Sequence, residues 1–189
     1  MIDLTKRGLP CHIKVAGESF SIYTDFRKWL QFQIDIEKEK QITAEMIIPL
    51  LKDNIEPLFF VGHFGEFAQE CVSFLKNENP CPKDISPSTE RVFDVAIDSD
   101  YVYSAFKQAY GIDLCDIEDL HIHKFNALLL GLPNDTKLSE IMSMRAYKKS
   151  KMSYEEQCEQ HKQAWALPTM TKEQKEEIIN ELNELFYNS

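Results

Sequence analysis

Ile13-Lys14-Val15-Ala16-Gly17-Glu18-Ser19-Phe20-Ser21-Ile22-Tyr23-Thr24-Asp25-Phe26-Arg27-Lys28-Trp29-Leu30 changes its periodicity halfway along. Ile13 and Val15 share one side with Lys14 opposed, and Phe20 and Ile22 alternate with Ser19 and Ser21. A period of two on either side of Ala16-Gly17-Glu18 predicts a β-hairpin closed by a three-residue turn. Thr24 and Asp25 then offer side-chain oxygens to the unpaired amides that open a helix. Phe26, Trp29, Leu30 and Ile34 follow at helical spacing, with Arg27, Lys28, Gln31, Asp35 and Lys38 between them. The pattern predicts a helix over 25–39, with Trp29 packed against Phe20 and Ile22.

Further along, helical patterning dominates. Residues 43–52 read ambiguously, because Thr43 suits a helix start while Pro49 either kinks that helix or opens a later one. Phe64, Phe67, Ala68, Cys71, Val72 and Leu75 form one stripe and predict a helix over 64–75. Residues 77–90 contain Pro80, Pro82 and Pro87 and read as a loop, the candidate for an internal seam. Phe93, Val95 and Ile97 alternate with Asp94, Ala96 and Asp98, which suggests a short strand. A helix over 100–110 places Val102, Ala105, Phe106, Ala109 and Tyr110 on one face, and Gly111 supplies the left-handed stop. Another over 116–130 ends at Gly131 and Pro133, and a third starts near Asp135 and runs through Leu138, Ile141 and Met142. Ser153-Tyr154-Glu155-Glu156 and Thr171-Lys172-Glu173-Gln174 both match the reciprocal capping box. The expected fold is mainly α: a helical domain over 1–168 with an N-terminal hairpin, then an amphipathic C-terminal helix over 169–189.

The bulk numbers exclude several function classes. A chain of 22.0 kDa exposes ~9,300 Å² when folded against ~32,000 Å² when open, so ~70% of its surface can be hidden without a metal or disulfides. Thirty-one acidic against 21 basic residues leave a net charge of −10, and no surplus of Lys and Arg accumulates to neutralise phosphates. Direct nucleic-acid binding is therefore not expected. Cys11, Cys71, Cys81, Cys115 and Cys158 are odd in number and widely spaced, as in a reducing compartment. No apolar run is long enough to span a membrane, and Met1-Ile2-Asp3-Leu4 lacks a signal peptide's apolar stretch.

Chemistry-bearing clusters are sparse. Cys158 and His161 are three apart on an expected helix, but no second pair completes a four-ligand zinc site. His121 and His123, two apart, should point to opposite sides of a helix, with His121 on the apolar face beside Leu120, Phe125 and Leu128. Asp94, Asp98 and Asp100 form an acidic group that suits Mg²⁺, or more simply outward strand residues and a helix N-cap. Lys124 lies near its helix's apolar face and must reach water or pair with Asp113 or Asp116. No phosphate-binding loop, dinucleotide fingerprint or nucleophile signature occurs. No catalytic residue, metal or cofactor is expected. The C-terminal helix offers the candidate partner-binding residues Ile178, Ile179, Leu182, Leu185 and Phe186, either against its own domain or in another chain's groove.

Two stretches carry a resemblance. One is the hairpin-to-helix segment from Ile13-Lys14-Val15-Ala16-Gly17 to Trp29-Leu30-Gln31-Phe32. The other runs from Asp100-Tyr101-Val102-Tyr103-Ser104-Ala105-Phe106 through Tyr110-Gly111-Ile112-Asp113-Leu114, His121, Lys124-Phe125 and Ala127-Leu128 to Gly131-Leu132-Pro133. Together they resemble a family of small proteins of long-tailed phages and prophages of Gram-positive bacteria, encoded between the tail tube and tape-measure genes. The chain departs from the family pattern at Ile122 and His123, where two tryptophans are expected. The resemblance implies a tail-assembly chaperone that covers the tape-measure protein in the host cytoplasm until tail tube proteins replace it. Self-association into a homo-oligomer would suit such a coat. The rivals are a minor structural or tail completion protein of the virion and, from the acidity alone, an inhibitor of a host nucleic-acid enzyme.

Overall fold

The computed structural model describes residue 5, residues 7–75 and 91–147, and positions 156, 158, 159 and 162. The loop and seam read at 77–90 and the helix over 169–189 lie outside the described residues, as does most of the helix expected from Ser153. Those described fall into two compact units, one built on residues 7–75 with 119–126, the other on 91–118 with 127–147.

In the first unit, strands β1 (His12–Val15) and β2 (Glu18–Ser21) pair antiparallel, with Ile13 opposite Phe20 and Val15 opposite Glu18. That register leaves only Ala16 and Gly17 in the turn, at φ 49° and 83°. The turn is thus the two-residue kind whose twist matches the strands, not the three-residue loop expected from the sequence. Gly17 adopts this conformation freely, whereas Ala16 does so against its Cβ. A bond from the Ala16 amide to Glu66 Oε2, 2.8 Å long, holds it there. Ile13, Val15, Phe20 and Ile22 all face inward.

Helix α1 (Phe26–Glu39) starts where Asp25 accepts the Arg27 amide, and ends at Lys40 in a left-handed cap. Its buried stripe is Phe26, Trp29 and Phe32; Leu30 and Ile34 are only half-buried. The Trp29 indole donates to the Tyr23 carbonyl at 2.7 Å, and its ring meets Phe32 and Phe74 rather than the expected Phe20. Phe20 is taken up by Phe59 and Phe67. Helix α2 (Ala44–Ile47) follows, and Pro49 sits in a single 3-10 turn, Ile48–Leu50. Helices α3 (Pro57–Gly62) and α4 (Phe64–Leu75) complete the unit, with Phe67, Ala68, Cys71 and Phe74 as the inner face of α4. Phe74 is inside where the sequence pattern favoured Val72 and Leu75, because Trp29 and His123 stack against it.

The second unit holds α5 (Ser99–Tyr110), closed by Gly111 at φ 68°, and α7 (Lys137–Ala146), capped by Thr136. Helix α6 (Ile122–Leu130) begins six residues later than its pattern suggested, after a turn over 114–116. Its residues to Asn126 count with the first unit and the rest with the second. Its end is fixed by Gly131, where an added Cβ would lie 3.3 Å from the Ala127 carbonyl. The strand suggested over 92–98 is instead a turn. Asp94 Oδ1 accepts the amides of Ala96 and Ile97, and Asp98 is fully buried while Ile97 is 50% exposed. The inversion has a physical cause: Arg145 of α7 reaches in to pair with Asp98 and bonds the Val92 carbonyl. Buried carboxylates go where their cation is.

Candidate functional site: an apolar groove in the first unit

Residues 44–64 make a concave surface of about 700 Å³. Thr43 holds the extended N-cap of α2, and Met46 and Ile47 turn inward. Pro49 has no amide to give to a continuing α-helix, so the chain tightens into the 3-10 turn and aims Leu50 into the core. Ile48 is left outward and 56% exposed. Leu51 pairs with Ile22, and Asp53 Oδ2 accepts the Ser21 amide at 2.6 Å, which fixes the floor to the hairpin. Pro57 then opens α3 with its φ already set. Phe60 packs inward on Phe64 and Phe67, while Leu58 and Val61 stand out at 80% and 74% exposure.

The groove is lined by Ile48, Leu51, Ile55, Phe60, Val61 and Phe64, with Lys52, Asp53 and Asn54 as its polar edge. Lys52 on that edge lies 5.4 Å from the centre of the Tyr23 ring; Lys28, which donates to the Pro49 carbonyl, lies 4.5 Å from the same ring. Three large apolar side chains stand outward beside a concave apolar lining, the kind of surface that binding sites present. It has the chemistry to hold the apolar face of a helix.

The sequence pattern pointed elsewhere. Ile178, Ile179, Leu182, Leu185 and Phe186 lie outside the described residues, and so does His161. Pro57-Leu58-Phe59-Phe60-Val61 carried the missed signal, a proline before a short apolar run. A run of that length does not distinguish a strand from a buried helix, and gives no face to mark as outward.

The two histidines also depart from expectation. His121 precedes α6 and caps it, its Nδ1 accepting the His123 amide at 3.1 Å. The rings therefore meet, with centroids 5.0 Å apart, because helical angles do not apply across residue 121. His121 Nε2 donates to the Pro10 carbonyl and His123 Nε2 to the Phe74 carbonyl, while His123 Nδ1 is buried without a partner. As an acceptor, His121 Nδ1 carries no proton in this arrangement, and burial holds both rings below the usual histidine range. Lys124 is exposed, as a side chain reaching water should be, and Asp113 accepts from Lys107 and Tyr103. Those two donors depress its carboxyl to about 2. The Cys71 thiol is pushed up to about 12 by burial. Asp94 and Asp98 are engaged with arginines and backbone amides, and Asp94 faces inward. Among the described residues, no three His, Cys, Asp or Glu side chains gather to hold a metal ion. No helix among them is long and apolar enough to cross a membrane.

A mainly helical chain with an N-terminal hairpin and a surface apolar groove is the class that fold and site define. The family described as bacteriophage Gp15 protein matches residues 6–167, and the chain belongs to that family. No curated protein and no solved structure matches it.

Proposed function

We propose that this phage protein is a tail-assembly chaperone, a binding protein rather than an enzyme, and that its client is the tape-measure protein. The observation that carries the reading is the groove between the 3-10 turn and α3, with Ile48, Leu58 and Val61 outward beside it. A tape measure is a long helical chain whose apolar stripes aggregate unless covered while tube subunits arrive. The apolar face of such a helix is the kind of ligand an apolar groove takes. Covering the three side chains is worth ~5–9 kcal/mol gross, and association costs reduce that to a weak contact. Weak contacts along a stripe add by avidity and still release to an incoming tube protein. The net charge of −10 keeps neighbouring copies soluble and apart.

The test is co-expression with the tape-measure protein of the same phage. The tape measure should remain soluble and copurify with the wild-type chain, and should precipitate with the exposed-face variant Leu58→Glu/Val61→Glu. Equal recovery with both would remove the groove from the reading. Mass spectrometry of purified virions separates a chaperone from a retained minor tail protein, since only the latter is present at a fixed copy number.

A further inference from the structure

Leu58 projects from α3 at 80% exposure without lining the groove, and Val61, one turn further along the same helix face, forms part of the lining. A knob and a hole thus sit side by side within the first unit. The polar edge has a matching property. Among the described residues, the Lys52 ammonium reaches the Tyr23 ring but no carboxylate. Asp53 accepts the Ser21 amide on Oδ2, which leaves Oδ1 for a cation. Neighbours on one edge, these two opposite charges meet when the patch is turned about a two-fold axis onto its own copy.

We propose that a second copy of this chain covers the groove, two copies meeting through α3 about a two-fold axis until a client helix replaces the contact. The inference rests on the groove assignment above and names what covers that surface before the client arrives. In the pair, Leu58 of each copy enters the groove of the other, Val61 lies beside the axis, and Lys52 of each meets Asp53 of the other. A single helix in the groove fills the hole but gives Leu58 no pocket, whereas a second copy supplies both. Such pairing closes at two copies, because each patch uses up the other. The net charge of −10 then opposes further growth. Few side chains make the contact, which puts it in the weak, transient class of interfaces. A client stripe that engages many copies displaces it by avidity.

The experiment uses the full-length chain and follows its mass against concentration by sedimentation equilibrium. Wild type should pass from monomer to dimer as concentration rises. One buried leucine contact is worth about tenfold or more in affinity, and a change acts twice in a symmetric pair. Leu58→Glu, at an exposed position, should therefore raise the dissociation constant by about a hundredfold. Lys52→Glu, which sets carboxylate against carboxylate, should weaken the dimer too, whereas Leu130→Glu, exposed in the second unit, should not. Val61→p-benzoylphenylalanine, in a mixture of natural and heavy-isotope copies, locates the contact: its crosslinks should join light to heavy peptides within residues 44–64. A chain monomeric at every concentration, a dimer unchanged by Leu58→Glu or lost equally in Leu130→Glu, or light-to-heavy crosslinks outside 44–64 overturns the proposal. Tape-measure protein added to the mixture reads the client assignment separately. Light-to-heavy crosslinks with none to the client keep the pair and remove the client from the groove. Client crosslinks with no light-to-heavy product keep the client and remove the pair.

Discussion

The Arg145 guanidinium holds both oxygens of the Asp98 carboxylate, at 2.6 and 2.9 Å, with the two side chains 5% and 0% exposed. Asp98 Oδ2 also accepts the Asp94 amide, and Arg145 donates to the Val92 carbonyl, so the pair organises the turn over 92–98 as well as bridging two helices. Removing one partner strands a buried charge, so Asp98→Asn and Arg145→Met should each destabilise by about 3–5 kcal/mol. Urea unfolding measures this. A loss under about 1 kcal/mol in both would mean that water reaches the pair.

Trp29→Ala should cost about 3–5 kcal/mol, since Trp29 is fully buried among Phe32 and Phe74 and bonded to the Tyr23 carbonyl. Trp29→Phe keeps an aromatic ring but forfeits the indole bond, so it should fall between the two. Chemical denaturation of the three proteins gives the order, and a Phe variant as stable as wild type would contradict the role given to the indole N–H.

At Ala16 the effect should be favourable. Its φ of 49° opposes an L side chain, and the side chain is exposed, so nothing is lost by changing it. Ala16→Gly or Ala16→Asn should stabilise by about 0.5–1 kcal/mol, as residues suited to this turn do. Thermal melts decide, and a lower melting temperature in both variants would refute the strain.

Acid should weaken the first unit. Burial lowers His121 and His123 below the ordinary histidine value of about 6.5, against the raising effect of their bonds to the Pro10 and Phe74 carbonyls. Asp119 favours the charged form of His121 and Lys124 opposes it. With folded values below unfolded ones, the unfolded chain binds more protons as pH drops under about 6.5. Stability is therefore full above that pH and falls as pH goes down through the window to the folded values. Protonating His121 Nδ1 would also remove the acceptor for the His123 amide. The urea midpoint should drop between pH 7.5 and 5.5, and the slope should shrink in His123→Gln, which retains a donor for Phe74. An unchanged slope in that variant would exclude His123 as its source.

Elements that depend on near neighbours were legible in the residues themselves. The change of period at Ile22–Phe26, the Asp25 cap and the Gly111 stop each act within one turn of chain, and the hairpin, α1 and the end of α5 form where those signals stand. That the chain belongs to a bacteriophage family was legible in the same way, in short stretches of fixed order. Solvent-facing and core-facing choices within those elements were less so: Phe32 and Phe74 are core because Trp29 touches both, and no spacing rule encodes that.

Tertiary structure alone decided the rest, because the deciding partner is remote in sequence. An alternating run at 92–98 became a turn with its aspartates inward, since the arginine that neutralises Asp98 comes 47 positions later. His121 and His123 met because α6 starts after His121, pinned where Ile122 bonds the Thr24 carbonyl. The groove needed Pro49 to break one helix, Pro57 to begin another, and the Leu51–Ile22 and Asp53–Ser21 contacts to hold the two at the hairpin's side. Local periodicity determines which residues are apolar and at what spacing; only the packed chain determines which of them are left without a neighbour.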